Sequence, residues 1–218
     1  MSAFPQQLID GYRTFASQRL PTEQSRYREL SVRGQSPEVM VIGCCDSRVS
    51  PEVIFDAGPG ELFVVRNVAN LVPVYAPDGG AHGVSAALEY AVNALQVKHV
   101  VVLGHAQCGG IRAFIDKIEP LSPGDFIGRW MSMFVKPGER VEQRDHESMA
   151  EFTVRIEKAA IFRSLENLTT FPFVQTRVGR GELSLHGAYF GVAEGSLFVL
   201  EQQTKQFRSV GQVSQAGG

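Results

Sequence analysis

The sequence has little of what marks a membrane, secreted or nucleic-acid-binding chain. No apolar run approaches the roughly 20 residues of a transmembrane helix. Cysteine is scarce, three among 218 residues, too few for a disulfide scaffold. A basic excess is missing, since Lys+Arg 21 against Asp+Glu 23 leaves a net charge of −2, and a nucleic-acid footprint usually needs one. Neither a membrane nor a nucleic acid is therefore expected as a partner. The opening Met1-Ser2-Ala3-Phe4-Pro5-Gln6-Gln7 lacks a basic stretch followed by an apolar block. No secretory signal is expected, and the chain is expected in the reducing cytoplasm. Both Gly-x-x-x-x-Gly-Lys-Ser/Thr and Gly-x-Gly-x-x-Gly are absent, so no phosphate loop is read at Gly109-Gly110. Repeats and low-complexity blocks are absent too. With no linker in sight, one domain is expected over 1–218: a helical arm at 1–33, a core at 34–203 and a frayed tail at 204–218.

What is present is an ordinary globular mix, 44% hydrophobic and 20% charged. Phe4, Leu8, Ile9, Tyr12 and Phe15 have helical spacing over 4–18, and a second, polar helix is expected at 22–31. Val39-Met40-Val41-Ile42, Leu62-Phe63-Val64-Val65 and Val97-Lys98-His99-Val100-Val101-Val102-Leu103 suit strands buried on both faces. Val84, Leu88, Val92 and Leu95 mark a crossover helix at 82–95, which implies parallel, right-handed pairing. Helices are expected at 109–117, 123–134 and 145–168. Leu183–Gly187 and Leu197–Glu201 then read as a hairpin whose last strand is an antiparallel edge. The fold class is α/β, with a mostly parallel central sheet, an antiparallel edge strand, flanking helices and an N-terminal helical arm.

All three cysteines follow strand ends. One strand runs into Gly43-Cys44-Cys45-Asp46-Ser47-Arg48, another into Gly104-His105-Ala106-Gln107-Cys108-Gly109. Ligands of open parallel sheets bind beyond the carboxyl ends of strands. Two such loops, as neighbours, bring two thiolates and an imidazole to one point, a donor set that suits Zn²⁺. Three ligands leave a fourth position for water or a side chain. Asp46 is placed to accept a hydrogen bond from such a water, and Arg48 to hold Asp46 ionised. Alternation along an extended segment would put Cys44, Asp46 and Arg48 on one side. The bland alternative is a structural zinc closed by Asp46. Cys45, the surplus thiol, reads as a buried small hydrophobe, His186 as a hydrogen-bonded core histidine, and His82, His99 and His146 as surface or packing residues.

Cys-x-Asp-x-Arg followed, 61 positions after Cys44, by His-x-x-Cys resembles the β-class carbonic anhydrases. Gly34-Gln35-Ser36-Pro37, Pro59-Gly60-Glu61, Arg66–Pro73, Ala87–Ala91, Ser164–Leu168 and Leu185-His186-Gly187 extend the likeness over roughly residues 5–203. The resemblance implies one Zn²⁺ per subunit on Cys44, His105 and Cys108, with Asp46 and Arg48 as the catalytic dyad. It also implies reversible hydration of CO₂ to bicarbonate by attack of zinc-bound hydroxide. The substrate-binding set it implies is Gln35, Phe63, Val68, Tyr90 and Gly109, with the Gln35 amide stabilising the developing oxyanion. Gln35, Phe63 and Tyr90 match a plant-type subclass. Val41 stands where the other subclass has Trp, although Gly43 and Arg66 are shared with it. A homodimer or higher homo-oligomer is implied, with the pocket at the subunit boundary. A CS₂ or COS hydrolase on the same scaffold and a non-enzymatic zinc or thiol sensor stay open as alternatives.

Overall fold

The computed structural model describes residues 4–136 and 139–212. The expected final Ser-Gln-Ala-Gly-Gly tail lies outside them.

The chain begins with α1 (Gln6–Thr14) and α2 (Leu20–Arg33), joined by a π-helical turn at Phe15–Arg19 rather than by a break. The sequence pattern suggested two separate helices, at 4–18 and 22–31, with Pro21 between them. A proline ring clashes with the carbonyl four residues earlier. Here that carbonyl belongs to Ser17, inside the wider π turn, so the helical run continues through the proline. None of the arm's described residues is buried. It meets the body near its end, where Arg26 donates to the Pro59 carbonyl (3.4 Å) and Leu30 covers Gly60.

Six strands form one sheet in the order β2-β1-β3-β4-β5-β6. β1 (Val39–Cys44), β2 (Leu62–Asn67), β3 (His99–His105) and β4 (Ser184–Gly191) are parallel. β5 (Ser196–Glu201) and β6 (Gln206–Ser209) are antiparallel. The tail expected from residue 204 thus contains a strand, and β6 rather than β5 is the edge. Gln206–Ser209 holds a single large apolar residue, Phe207, too little alternation to mark a strand.

The apolar runs of β1 and β3 serve both faces. Met40, Ile42, Val100 and Val102 join a core with Leu88 of α4 (Gly83–Glu89), Ile161 of α7 (Met149–Leu168) and Val174 of α8 (Pro172–Gly179). α7 lies so close to the sheet that a Cβ at Gly104 or Gly187 would stand 2.8–2.9 Å from Ile161. Val41, Leu103 and Ala188 face the other way, towards the short α3 (Pro51–Ile54). On that side Val39, Leu62, Val64, Val101, Phe190 and Leu197 remain only partly buried. A third cluster gathers Cys44, Cys108, Ile111, Met131, Phe152 and Ile156 at the carboxyl ends of the strands, between α5 (Gly109–Ile115), α6 (Phe126–Ser132) and α7. No helix among the described residues is long and apolar enough to cross a membrane.

Candidate functional site

Cys44 ends β1 and His105 ends β3, and the parallel pairing of these strands brings the two together. Cys108 is the residue from which α5 starts. The donor atoms of Cys44, His105 and Cys108 all lie within 4.8 Å of one another, and the three residues are buried. The two sulfurs are 3.9 Å apart. Two thiolates about 2.3 Å from a tetrahedral ion would stand about 3.8 Å apart, so the spacing fits zinc. His105 Nδ1 is hydrogen-bonded to the Ala106 carbonyl (2.9 Å), which fixes the ring's tautomer. Its Nε2 is buried and unpartnered. An orphaned nitrogen beside two thiols is what a ligand set shows without its ion.

Backbone amides prepare both sulfurs for negative charge. Cys44 is served by the N–H groups of Asp46 and Ala69, Cys108 by those of Gly110 and Ile111 at the helix start. The two sulfurs share a hydrogen bond, and with one proton between them the Cys44 thiol is pulled well below its ordinary value while Cys108 is pushed up.

Beyond Cys44 the chain turns instead of staying extended, so the expected alternation does not position the dyad. Asp46 Oδ1 accepts from the backbone N–H of Arg48 (3.0 Å) and closes the turn on itself. Arg48 returns with a two-pronged contact, Nε to Oδ1 at 2.9 Å and Nη2 to Oδ2 at 2.7 Å. These bonds hold the Asp46 carboxyl far below the usual carboxylate range. Arg48 Nη2 also donates to the Gln107 carbonyl (3.0 Å), tying the two ligand loops together. Asp46 Oδ2 stands 4.0 Å from His105 Nε2, facing the centre while held off it.

Cys45 is exposed, a correction to its reading as a buried residue. Neighbours in an extended chain point to opposite sides, and Cys44 takes the inward one. Val68 lies against Gly110, and Trp130 Nε1 donates to the Val68 carbonyl (2.7 Å). Val68 and Gly109 are thus at the metal end. Phe63, Tyr90 and Gln35 are not brought to this chain's own ligands. Phe63 pairs in register with Met40, four positions before the Cys44–Asn67 pair, about 13 Å along the strand. Tyr90 is 50% exposed, its ring centroid 5.9 Å from that of Phe63. Gln35 is exposed between α2 and β1.

Two residues that sequence reasoning gave no role here hold the ligand loops. Arg66 donates to the carbonyls of Cys44 (2.8 Å), Asp46 (2.7 Å) and Val49 (2.9 Å). Glu157, 2% exposed on α7, accepts from the Cys108 N–H (3.0 Å) and the Tyr189 hydroxyl (2.7 Å). Burial pushes Glu157 up, against those hydrogen bonds. Glu157 falls on the apolar helical stripe of Phe152, Ile156, Ala160 and Ile161, and that position was the available signal for it.

Comparison with known proteins gives a consistent family. The family model described as carbonic anhydrase matches residues 39–197. The mitochondrial β carbonic anhydrase 6 of Arabidopsis thaliana is 38% identical over 190 residues, 84% of this chain and 63% of the relative. The chloroplastic β carbonic anhydrase 5 of the same plant is 37% identical over 174 residues, 77% of this chain and 55% of the relative. The chain therefore spans less than two thirds of the length of either. Among solved structures, the β-carbonic anhydrase CcaA superposes with a TM-score of 0.84 at 28% identity, covering 94% of this chain and 91% of that one. A tetrameric β-carbonic anhydrase of Sordaria macrospora gives 0.76 at 27% identity, covering 89% and 95%. The cytoplasmic expectation is overturned by the two curated relatives, one mitochondrial and the other chloroplastic.

Proposed function

Because the chain belongs to the β-class carbonic anhydrases, we propose that it catalyses CO₂ + H₂O ⇌ HCO₃⁻ + H⁺ with one zinc ion held by Cys44, His105 and Cys108. The observation that carries this reading is the donor set itself: two thiols and an unpartnered imidazole nitrogen converge, while Arg48 holds back the one carboxylate able to close the site. When bound, zinc supplies a nucleophile from water near neutral pH.

The side chains then have separable tasks. Asp46 stays ionised beside Arg48 and accepts a hydrogen bond from the attacking water, which turns the oxygen lone pair towards the carbon. Arg48 keeps Asp46 from rotating onto the ion. Val68 and Gly109, at the metal end, are the neighbours available to a small linear apolar substrate. Gln35, Phe63 and Tyr90 act on the centre of a second subunit, the Gln35 amide donating to the oxygen on which charge develops. This plant-type arrangement requires a homodimer at least. It is supported by the exposed arm, with Leu8 57% and Tyr12 66% accessible, and by Leu62 and Val64, left partly buried on the edge strand β2. Arg66, shared with the alternative subclass, has its guanidinium engaged by three carbonyls.

The test pairs zinc analysis after gel filtration with stopped-flow CO₂ hydration. The expected result is about one retained zinc per chain and hydration lost on chelation. Retained zinc with turnover of CS₂ or COS but not CO₂ would overturn the proposal.

A further inference from the structure

Two histidines that the proposed reaction does not use meet on the sheet face opposite α4 and α7. His99 opens β3, and His186 stands two positions beyond Ser184, the register partner of His99 on β4. His99 Nδ1 is 3.2 Å from His186 Nε2, with ring centroids 5.2 Å apart and planes inclined by 58°. Both side chains are half-buried. Burial and the neighbouring His99 lower His186 from the ordinary imidazole value, so it is neutral at neutral pH, the form that ligates metals.

The spacing is at the long limit for an N–H hydrogen bond. It suits a shared ion better. Two nitrogens about 2.05 Å from a tetrahedral ion lie about 3.3 Å apart, and a cis pair in a square plane about 2.9 Å apart. We propose that His99 and His186 form a second metal site for a late first-row divalent ion such as Zn²⁺, Ni²⁺ or Cu²⁺, ions that favour imidazole. Solvent, which reaches both half-buried side chains, takes the remaining coordination positions. The site is independent of the first centre, because His99 lies six positions before His105 on β3, about 20 Å away. An ion there joins β3 to β4 at their amino ends and stabilises the folded chain by mass action.

Equilibrium dialysis of zinc-loaded protein against micromolar Zn²⁺, followed by metal analysis, tests the site. Wild type should rise from about one to about two zinc per chain, with a higher Tm. His99→Gln and His186→Gln should each stay near one, without the Tm gain. Cys108→Ser should lose the other equivalent and keep this one, which separates the second site from the proposed function. No second equivalent in wild type, or one that survives both histidine substitutions, would overturn the proposal. Should either variant fail to fold, Cu²⁺ added to zinc-loaded wild type gives the answer by paramagnetic resonance. Hyperfine structure from two imidazole nitrogens is expected, and from one or none contradicts the site.

Discussion

The two ends of the parallel sheet hold their site residues in opposite ways. At the carboxyl ends, Cys44, His105 and Cys108 are buried, and the surrounding loops are fixed by Arg48, Arg66, Glu157 and Trp130. At the amino ends, Gln35 and Tyr90 are exposed, and Phe63 and Tyr90 lean on each other. The first group has what preorganised chemistry needs, namely side chains whose positions are set by packing and hydrogen bonds. One chain therefore gathers the Cys44, His105 and Cys108 set by itself, and under the proposed dimer Gln35, Phe63 and Tyr90 would serve the other subunit's centre.

The sharpest way to break that contrast is to remove a ligand. Cys108→Ser should abolish CO₂ hydration and release the retained zinc, since a neutral hydroxyl replaces a thiolate. Bound zinc with full activity in this variant would end the assignment.

The Asp46–Arg48 pair comes next. Arg48→Ala frees Asp46, whose Oδ2 already stands 4.0 Å from His105 Nε2. Zinc K-edge absorption should show a fourth, carboxylate ligand, with a rate loss of roughly 10² or more. The pH response follows from the same pair. Asp46 is depressed in the folded chain, so its contribution is complete above the ordinary carboxylate value, about 4. It is lost only as the pH falls below that, through the folded value. Coordination in the wild type should therefore be unchanged between about pH 8 and pH 6. A switch to carboxylate ligation in that window would contradict the pairing and the plant-type reading.

Glu157 tests whether the ordered end depends on its buried carboxylate. Glu157→Leu leaves the Tyr189 hydroxyl and the Cys108 N–H without their acceptor. Each loss typically costs about 1–3 kcal/mol, and zinc affinity should fall about 10–100-fold. Glu157→Gln can still accept from the amide and turn its NH₂ to the tyrosine oxygen, so it should recover most of both. Calorimetry and zinc competition read the difference, and equal losses in the two variants would refute the hydrogen-bonding role.

Cys45→Ser should have the smallest effect. The residue is exposed, so zinc content and CO₂ hydration should stay within about twofold of wild type. A marked loss of metal would mean that the ligand register is wrong.

How far the sequence carries depends on the range of the interaction. The runs Val39–Ile42 and Val97–Leu103 are local patterns and underlie β1 and β3, and Cys44-x-Asp46-x-Arg48 and His105-x-x-Cys108 are each local to one strand end, joined only by the pairing of β1 with β3. Glu157 becomes meaningful only when α7 crosses the Cys108 loop, 49 positions away. β6 has a weak pattern of its own and is defined by pairing with β5. The turn after Cys44 replaced an extended segment because the Asp46 side chain takes the Arg48 backbone N–H, competition that alternation arguments ignore. The location expectation failed for a different reason, being drawn from the first residues and not from a packed element.

The central claim is that the amino-end residues serve the partner's centre, and mixed dimers of Gln35→Ala and Cys108→Ser subunits test it directly. Gln35→Ala alone should keep zinc and lower kcat/KM by roughly 10²–10³ or somewhat less. Cys108→Ser alone should be inactive. In the mixed dimer, the intact zinc of one subunit meets the intact Gln35 of the other. The account predicts that activity returns to about half the wild-type value per dimer. Activity no higher than half that of the Gln35→Ala parent would show that Gln35 works within its own subunit and would contradict it.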